Sequence, residues 1–335
     1  QAASNRGGEV AVLQLRNVEF YHALFNLYMN TRQLDQAWCI SNLLTHLRAA
    51  DTTEAEFHNR YFGAGLPSTQ GRFTNEIWSL VSHPSENMRI GNIMAVISGH
   101  CRELFSYDIQ DQYNMRKKNK LALNSNLLFC KIYQYMAGMI GVIPAPELYL
   151  NAEQPLGMVN GNVNPPAFII GADMTQGRGQ RELAFIIARQ LALAAPQHYM
   201  GALGLQTEIL KTYMMAAIHV CSQNPGKVTD PTFNEIAKQL VKMPTPVKME
   251  LNKMMRPIIE GQVEVSMSSW LRAIDFTANR IGLLLCGDLA TSIQAVRNDN
   301  RPISKLSSSE KEKDLLAFAI SAEYFDLRQR LGLSV

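Results

Sequence analysis

The chain has 335 residues, and its 32 basic and 29 acidic side chains leave a formal net charge of only +3. Hydrophobic residues make up 47% of the chain and charged residues 18%, which excludes an intrinsically disordered protein. The charges are interspersed, and no apolar run of about 18 uncharged residues occurs. We therefore expect no nucleic-acid partner, no membrane partner and no membrane-spanning helix.

The five cysteines are odd in number and widely scattered, and no two of them have the CxxC spacing of a metal or redox site. Free thiols of this kind behave as small core residues in a reducing compartment, so we expect a cytoplasmic protein. The first residue is Gln1 rather than methionine, which leads us to expect the C-terminal part of a longer protein.

The N-terminal region is predicted to be a helical hairpin within residues 10–60, after a disordered lead-in at residues 1–9. Apolar residues recur at three- and four-residue spacing on both sides of a break at residues 30–33. This spacing resembles a tetratricopeptide repeat at Val18, Tyr21, Leu24, Tyr28 and Ala37. Phe25 stands where that repeat prefers a small residue, so a helical hairpin of another kind remains an alternative.

The next part of the chain is predicted to be a helical connecting segment, residues 61–120, interrupted at 63–67 and 83–84. A long apolar helix is expected over residues 121–140, because the apolar pattern runs without a break until Gly141. Glycine at this position is typical of a residue that ends a helix.

Two short β-like runs follow, at residues 147–150 and 167–170, with a polar loop between them. Residues 181–196, RELAFIIARQLALAAP, predict a buried helix that carries an arginine and a glutamine at its centre. Further helices are expected from residue 207 to residue 285, and a last amphipathic helix over residues 309–331. The predicted fold class is therefore mainly α (α+β) with a small β-sheet.

The order of these elements resembles the catalytic domain of M48-type (gluzincin) zinc metallopeptidases, which are related to the CAAX-processing proteases. In that family the zinc-binding helix typically reads Glu-Leu-Ala-x-Val-Leu-Ala-His-Glu-x-x-His, and residues 182–193 align with it without a gap. Residues 275–288 resemble the later helix that supplies the third zinc ligand. The resemblance implies a zincin-like helical domain at residues 121–300, followed by a C-terminal helix at 301–335.

The resemblance also implies the positions of a zinc site, and each of them carries a side chain unsuited to zinc chemistry. Arg189 and Leu193 stand in place of two zinc-binding histidines, and Gln190 stands in place of the glutamate that acts as general base. A guanidinium stays protonated, leucine has no lone pair, and glutamine has no carboxylate. Thr277 takes the place of the third ligand and Asn279 that of an acid that orients a histidine. We expect no catalytic residue, no bound metal and no cofactor.

The resulting hypothesis is a pseudoenzyme, a non-catalytic relative of a peptidase that acts as a protein-interaction or scaffolding module. It is similar to bacterial tetratricopeptide-containing proteins of unknown function, and its expected partners are proteins. One alternative is a hydrolase or ligand-binding protein that reuses the zincin cleft, and another is an all-α adaptor unrelated to peptidases. Arg189 facing Thr277 across a closed interior would favour a structural role, whereas Arg189 in an open cleft would favour an anionic ligand.

Overall fold

The computed structural model describes residues 17–63, 65–153, 157–222 and 226–335, so the predicted lead-in at residues 1–9 lies outside the described ranges. The first three helices are α1 (Val18–Asn30), α2 (Leu34–His46) and α3 (Thr52–Tyr61). An arginine with left-handed backbone follows each of the first two helices, Arg32 with φ 59° and Arg48 with φ 57°. Helices α1 and α2 lie on the two sides of the predicted break at residues 30–33, and α3 lies at the end of the range predicted for the hairpin. The assignment of the hairpin to the tetratricopeptide repeat stays a prediction.

The connecting segment contains shorter helices than its sequence pattern indicates. They are α4 (Asn75–Val81), α5 (Met88–Cys101) and α6 (Ile109–Tyr113), and the apolar helix α7 (Leu128–Ile140) follows them. The prediction that α7 begins at residue 121 is wrong, because the backbone N–H of Leu121 donates to Leu148 O and holds this segment against a strand. The predicted end is confirmed, since Gly141 closes α7 with φ 79°.

The sheet has three strands, β1 (Glu147–Asn151), β2 (Met158–Gly161) and β3 (Ala167–Gly171), in the spatial order β1-β3-β2. β1 and β3 run parallel and correspond to the two predicted β-like runs. β2 pairs with β3 antiparallel and was not predicted, because it is four residues long and lies in a polar loop. The central strand β3 is buried at every residue. Because β3 lies between β1 and β2, β2 is an edge strand of the sheet.

Helix α8 (Gln180–Ala194) packs along a later helix, α13 (Met267–Cys286), and this pair forms the centre of the molecule. Their close approach depends on Gly282, where an added Cβ would come within 2.7 Å of the Phe185 ring. The helices between them are α9 (Tyr199–Ala202), α10 (Thr207–Cys221), α11 (Pro231–Val241) and α12 (Thr245–Ile259).

The predicted single C-terminal helix at residues 309–331 is wrong in one respect, because the chain forms two helices there. After α14 (Leu289–Arg297) come α15 (Ser308–Phe318) and α16 (Ala322–Arg330). Ser321 separates the last two, since its hydroxyl accepts the N–H of Tyr324 and so caps a new helix. Ser307 caps α15 through reciprocal bonds with Glu310, in which the side chain of each residue accepts the backbone N–H of the other.

The hydrophobic core consists of two large clusters that meet along α13. One cluster joins the N-terminal hairpin, the sheet, α8, the end of α13 and the C-terminal helices. The other joins α5, the helices α10 to α12 and the beginning of α13. The protein is therefore mainly helical with a small three-stranded sheet, which confirms the predicted fold class. None of the helices in the described ranges combines the length and the apolar character needed to cross a membrane.

Candidate functional site

A surface cleft of about 1540 Å³ lies between the edge strand β2, helix α8 and helix α14 with the loop that follows it. Residues Gly157 to Asn160 form one wall, and Arg189 and Gln190 lie on the α8 wall. The opposite end is lined by Gln294 on α14 and by the loop at residues 298–303. The cleft thus brings together the two central residues of α8 and a strand that has only one neighbour.

The free edge of β2 faces this cleft. The N–H of Gly171 donates to Gly157 O at 2.8 Å, so residues 157, 159 and 161 are the ones that exchange hydrogen bonds with β3. By alternation, the backbone N–H and C=O groups of Met158 and Asn160 point away from β3. Both residues line the cleft, and no described residue bonds to their backbone groups, whereas the next position along this edge, Asn162, accepts the N–H of Tyr107.

The side chain of Asn160 adds a second unsatisfied group at this wall. Asn160 is only 7% exposed, and neither its Oδ1 nor its Nδ2 has a hydrogen-bond partner among the described residues. A buried amide without partners costs about 1–3 kcal/mol of stability, because its bonds to water are lost on folding and not replaced. A side chain kept at such a cost is expected to serve binding rather than folding.

Arg189 is held by a closed network of buried charges. Its Nε donates to Asn279 Oδ1 at 2.8 Å, and its Nη2 lies 3.1 Å from Asp275 Oδ1 and 2.9 Å from Asp299 Oδ2. Lys311 contacts the same two carboxylates, at 3.0 Å from Asp275 Oδ2 and 3.2 Å from Asp299 Oδ2. Two cations and two carboxylates therefore neutralise one another at the bottom of the cleft.

The charges of this network stabilise the ionised forms of Arg189 and Asp299. Burial opposes the charge on Arg189, but Asp299 and Asp275 together hold its pKa above the ordinary value. Burial likewise opposes ionisation of Asp299, but Arg189 and Lys311 outweigh it and lower the pKa of that carboxyl. Because Arg189 is already neutralised, the cleft does not offer it as a free site for an anionic ligand.

The structure brings two of the other four predicted zinc-site positions to the cleft and places the other two away from it. Gln190 lines the cleft and Asn279 bonds to Arg189, but Leu193 is fully buried in the core. Thr277 is directed away from Arg189, since its hydroxyl donates to Glu86 and accepts the N–H of His83. Thr277 therefore does not stand opposite Arg189, and the α13 residues that do so are Asp275 and Asn279.

Thr277 belongs instead to a buried polar network behind α13. The Nε2 of His198 lies 2.7 Å from Glu86 Oε1, and its Nδ1 lies 2.9 Å from the carbonyl oxygen of Ala192. Burial opposes ionisation of Glu86, but His198 and Thr277 outweigh it and leave the pKa of this carboxyl below its ordinary value. These contacts fix the turn after α8 against α13, and none of these groups lines the cleft.

We expect His83 at the edge of this network to make the protein less stable in acid. Burial, together with Arg280, outweighs Asp314 and Glu86 and lowers the pKa of His83 to about 4. The unfolded chain then binds the proton more tightly, so stability is lost as the pH falls from about 6.5 towards 4. The full loss is about 3 kcal/mol, of which about 2 kcal/mol appears between pH 7.5 and pH 5.

Urea denaturation of the His83→Gln variant at both pH values measures this contribution. The variant should show a pH dependence smaller than that of the wild type by about 2 kcal/mol. The exposed His100 offers a matched control, and His100→Gln should keep the pH dependence of the wild type. Equal pH dependence in His83→Gln and the wild type would show that His83 titrates alike in the folded and unfolded chain.

The carboxylates that line the cleft are already engaged by other groups. Asp173 accepts from Arg178 and from the N–H of Gly157, and Glu182 also pairs with Arg178. Asp288 caps α14 and Asp299 belongs to the Arg189 network. Each of these four carboxylates thus has at least one hydrogen bond or salt bridge within the protein.

Two members of the Arg189 network had no local signature in the sequence. Lys311 is 2% exposed on a helix whose pattern indicates a solvated face, and Asp299 lies in a polar loop. Asp275 is different, because it lies four residues before Asn279 and so on the same face of α13. That spacing was visible in the sequence and would have identified the partner of Arg189.

No protein-family model, curated protein or solved structure matches the chain. The resemblance of residues 121–300 to a zincin domain and that of residues 10–60 to a tetratricopeptide repeat therefore stay predictions. The geometry of the cleft carries the functional argument.

Proposed function

We propose that the protein is a non-catalytic polypeptide-binding module, which holds an extended segment of a partner protein along the free edge of β2. The observation that carries this proposal is that Met158 and Asn160 line the cleft while their backbone groups point away from β3. An extended peptide can add to such an edge as a further strand, with its main chain bonded and its side chains in adjacent pockets.

The chemistry of the α8 wall supports binding rather than cleavage. The position that the resemblance assigns to a zinc ligand holds Arg189, which is engaged with Asp275, Asp299 and Asn279. Gln190 beside it can donate and accept hydrogen bonds but is not a proton acceptor for catalysis. On this proposal α8 is a peptidase-like helix whose polar residues stabilise the cleft and contact a bound peptide.

The wider setting of the proposal follows the sequence hypothesis. The partner is a protein, and the module acts as a scaffold in the bacterial cytoplasm, with a zincin-like domain next to a tetratricopeptide-like hairpin. The short sheet lies against α8 through β2, an arrangement that favours this hypothesis over an all-α adaptor. The alternative function, a hydrolase that reuses the cleft, predicts that peptides incubated with the protein are cleaved.

Asn160→Leu tests the proposal through two opposite effects. We expect the substitution to raise the free energy of unfolding by about 1 kcal/mol, because it removes a buried amide without partners. We also expect weaker peptide binding, because leucine cannot bond to the amides of a ligand. The probe is a display library of random peptides selected on the immobilised wild-type protein, with the selected peptides then synthesised and titrated.

Asn162 supplies the matched control, because its Oδ1 is also buried and unpartnered but its side chain lies outside the cleft lining. Asn162→Leu should leave peptide affinity unchanged. Mass spectrometry of the peptides after incubation distinguishes binding from hydrolysis, and we expect intact masses. Selected peptides that bind Asn160→Leu as tightly as the wild type, or that are recovered in fragments, would contradict the proposal.

A further inference from the structure

A second pocket, of about 620 Å³, lies where the N-terminal hairpin meets α14. It is formed by the ends of α2 and α3 and by the beginning of α14, and we refer to it as the hairpin pocket. The hairpin pocket and the cleft share one wall, made of Phe62, Asp288, Ala290 and Gln294. A chain that lies along β2 can therefore reach the hairpin pocket without leaving the surface.

Two deeply buried polar side chains, His58 and Asn42, line the hairpin pocket. His58 is 6% exposed, and its Nε2 is buried without a hydrogen bond to any described residue. Its ring is fixed between Trp38 and Phe62, with centroid separations of 5.9 Å and 4.9 Å. Asn42 is also 6% exposed and makes no side-chain hydrogen bond within the described ranges. Unsatisfied groups of this kind gain hydrogen bonds when a ligand enters.

One cation in the lining of the hairpin pocket, Arg48, is left without a carboxylate partner among the described residues. Arg48 is exposed and has no carboxylate within salt-bridge distance in the described part of the chain. The other arginine, Arg297, is neutralised by a two-pronged bond to Glu312. Both oxygens of Asp288 are occupied, by the N–H of Ala290 and the hydroxyl of Thr291. The groups left over are the guanidinium of Arg48 and the carboxamide of Asn42, which can both donate hydrogen bonds to a carboxylate.

We propose that the hairpin pocket binds a carboxylate of the partner polypeptide, with Arg48 and Asn42 as its ligands. This inference rests on the proposed function, since the shared wall is what connects the pocket to a peptide along β2. The carboxylate comes from an aspartate or glutamate side chain or from the C-terminus of the partner. The hairpin would thereby select which segments the β2 edge accepts, because main-chain bonding alone is sequence-tolerant.

The test compares display selections of random peptides on the wild-type protein and on Arg48→Glu. We expect the wild type to enrich peptides with a carboxylate at a fixed distance from the segment that pairs with β2. Arg48→Glu should lose this preference and bind the selected peptides roughly tenfold or more weakly, because a charged hydrogen bond is replaced by repulsion. Synthetic peptides with an amidated C-terminus separate the two sources, since only binding through the terminal carboxylate is lost on amidation.

Arg32→Glu is the matched control, because Arg32 is an exposed arginine with the same left-handed backbone on the same hairpin, outside the pocket. It should keep the affinity and the preference of the wild type, and Arg48→Gln should give an intermediate loss. The inference would be overturned if the selected peptides show no acidic preference and Arg48→Glu binds them as tightly as the wild type does. If Asn160→Leu still binds those peptides more weakly, the proposed function stands. A library without binders, or binders insensitive to both positions, would overturn both.

Discussion

Arg189→Leu is expected to lower the free energy of unfolding by about 3–5 kcal/mol, although leucine suits a helix core better than arginine does. The reason is that Asp275 and Asp299 are left with Lys311 as their one remaining cation in the network. An uncompensated carboxylate in a buried site is far more costly than the loss of a surface ion pair. Urea denaturation at pH 7.5 measures the change.

Two further variants show whether this loss arises from the network. Arg301 lines the same cleft but is exposed, so Arg301→Leu should change the stability little. Adding Asp299→Asn to Arg189→Leu should recover part of the lost stability, because it removes the one carboxylate charge that Lys311 leaves unbalanced. If Arg189→Leu is as stable as the wild type and the double variant gains nothing, the network does not hold the cleft together.

The second large effect is expected at the contact between the first and last parts of the chain. Arg328 on α16 binds Asp35 on α2 through Nε and Nη2, at 3.0 Å and 2.7 Å, and its guanidinium lies over the Trp38 ring at 4.4 Å. The arginine is only 2% exposed. Asp35→Ala leaves this cation buried without a carboxylate, and we expect a loss of about 3–5 kcal/mol of stability.

The exposed pair between Arg330 and Asp326 on the same helix offers the comparison. Asp326→Ala removes a singly bonded salt bridge in solvent, and we expect no measurable change in stability. Thermal denaturation of Asp35→Ala and Asp326→Ala measures the loss of stability caused by each substitution. A small effect of Asp35→Ala would mean that α16 is held by apolar packing alone and that the charge pair is dispensable.

The secondary structure was largely predictable from the sequence, because apolar periodicity and capping residues act locally. Gly141 marks the end of α7, and the pair Ser307 and Glu310 marks the start of α15, as their chemistry requires. β2 was not predictable, since four residues of mixed polarity become a strand only by pairing with β3. Residues 121–127 were misassigned for a related reason, because a tertiary bond to β1 overrides their apolar pattern.

The geometry of the site was predictable only in part. Residues two apart on a helix point about 200° away from each other, so Thr277 and Asn279 cannot both face α8. Helical geometry alone would have replaced Thr277 by Asp275 as the residue opposite Arg189. The contacts from Asp299 and Lys311 were beyond reach, because they join segments more than a hundred residues from Arg189 along the chain and carry no local pattern.

The most direct test of the β2-edge proposal is residue-resolved amide hydrogen exchange of the protein with and without a peptide selected from the display library. We expect the bound peptide to slow the exchange of the amides of Met158 and Asn160, because a bound strand would accept their hydrogen bonds. Val159 and Gly161 should change little, since they already bond to β3. Protection that appears elsewhere on the protein while Met158 and Asn160 exchange as fast as before would contradict peptide binding at the β2 edge.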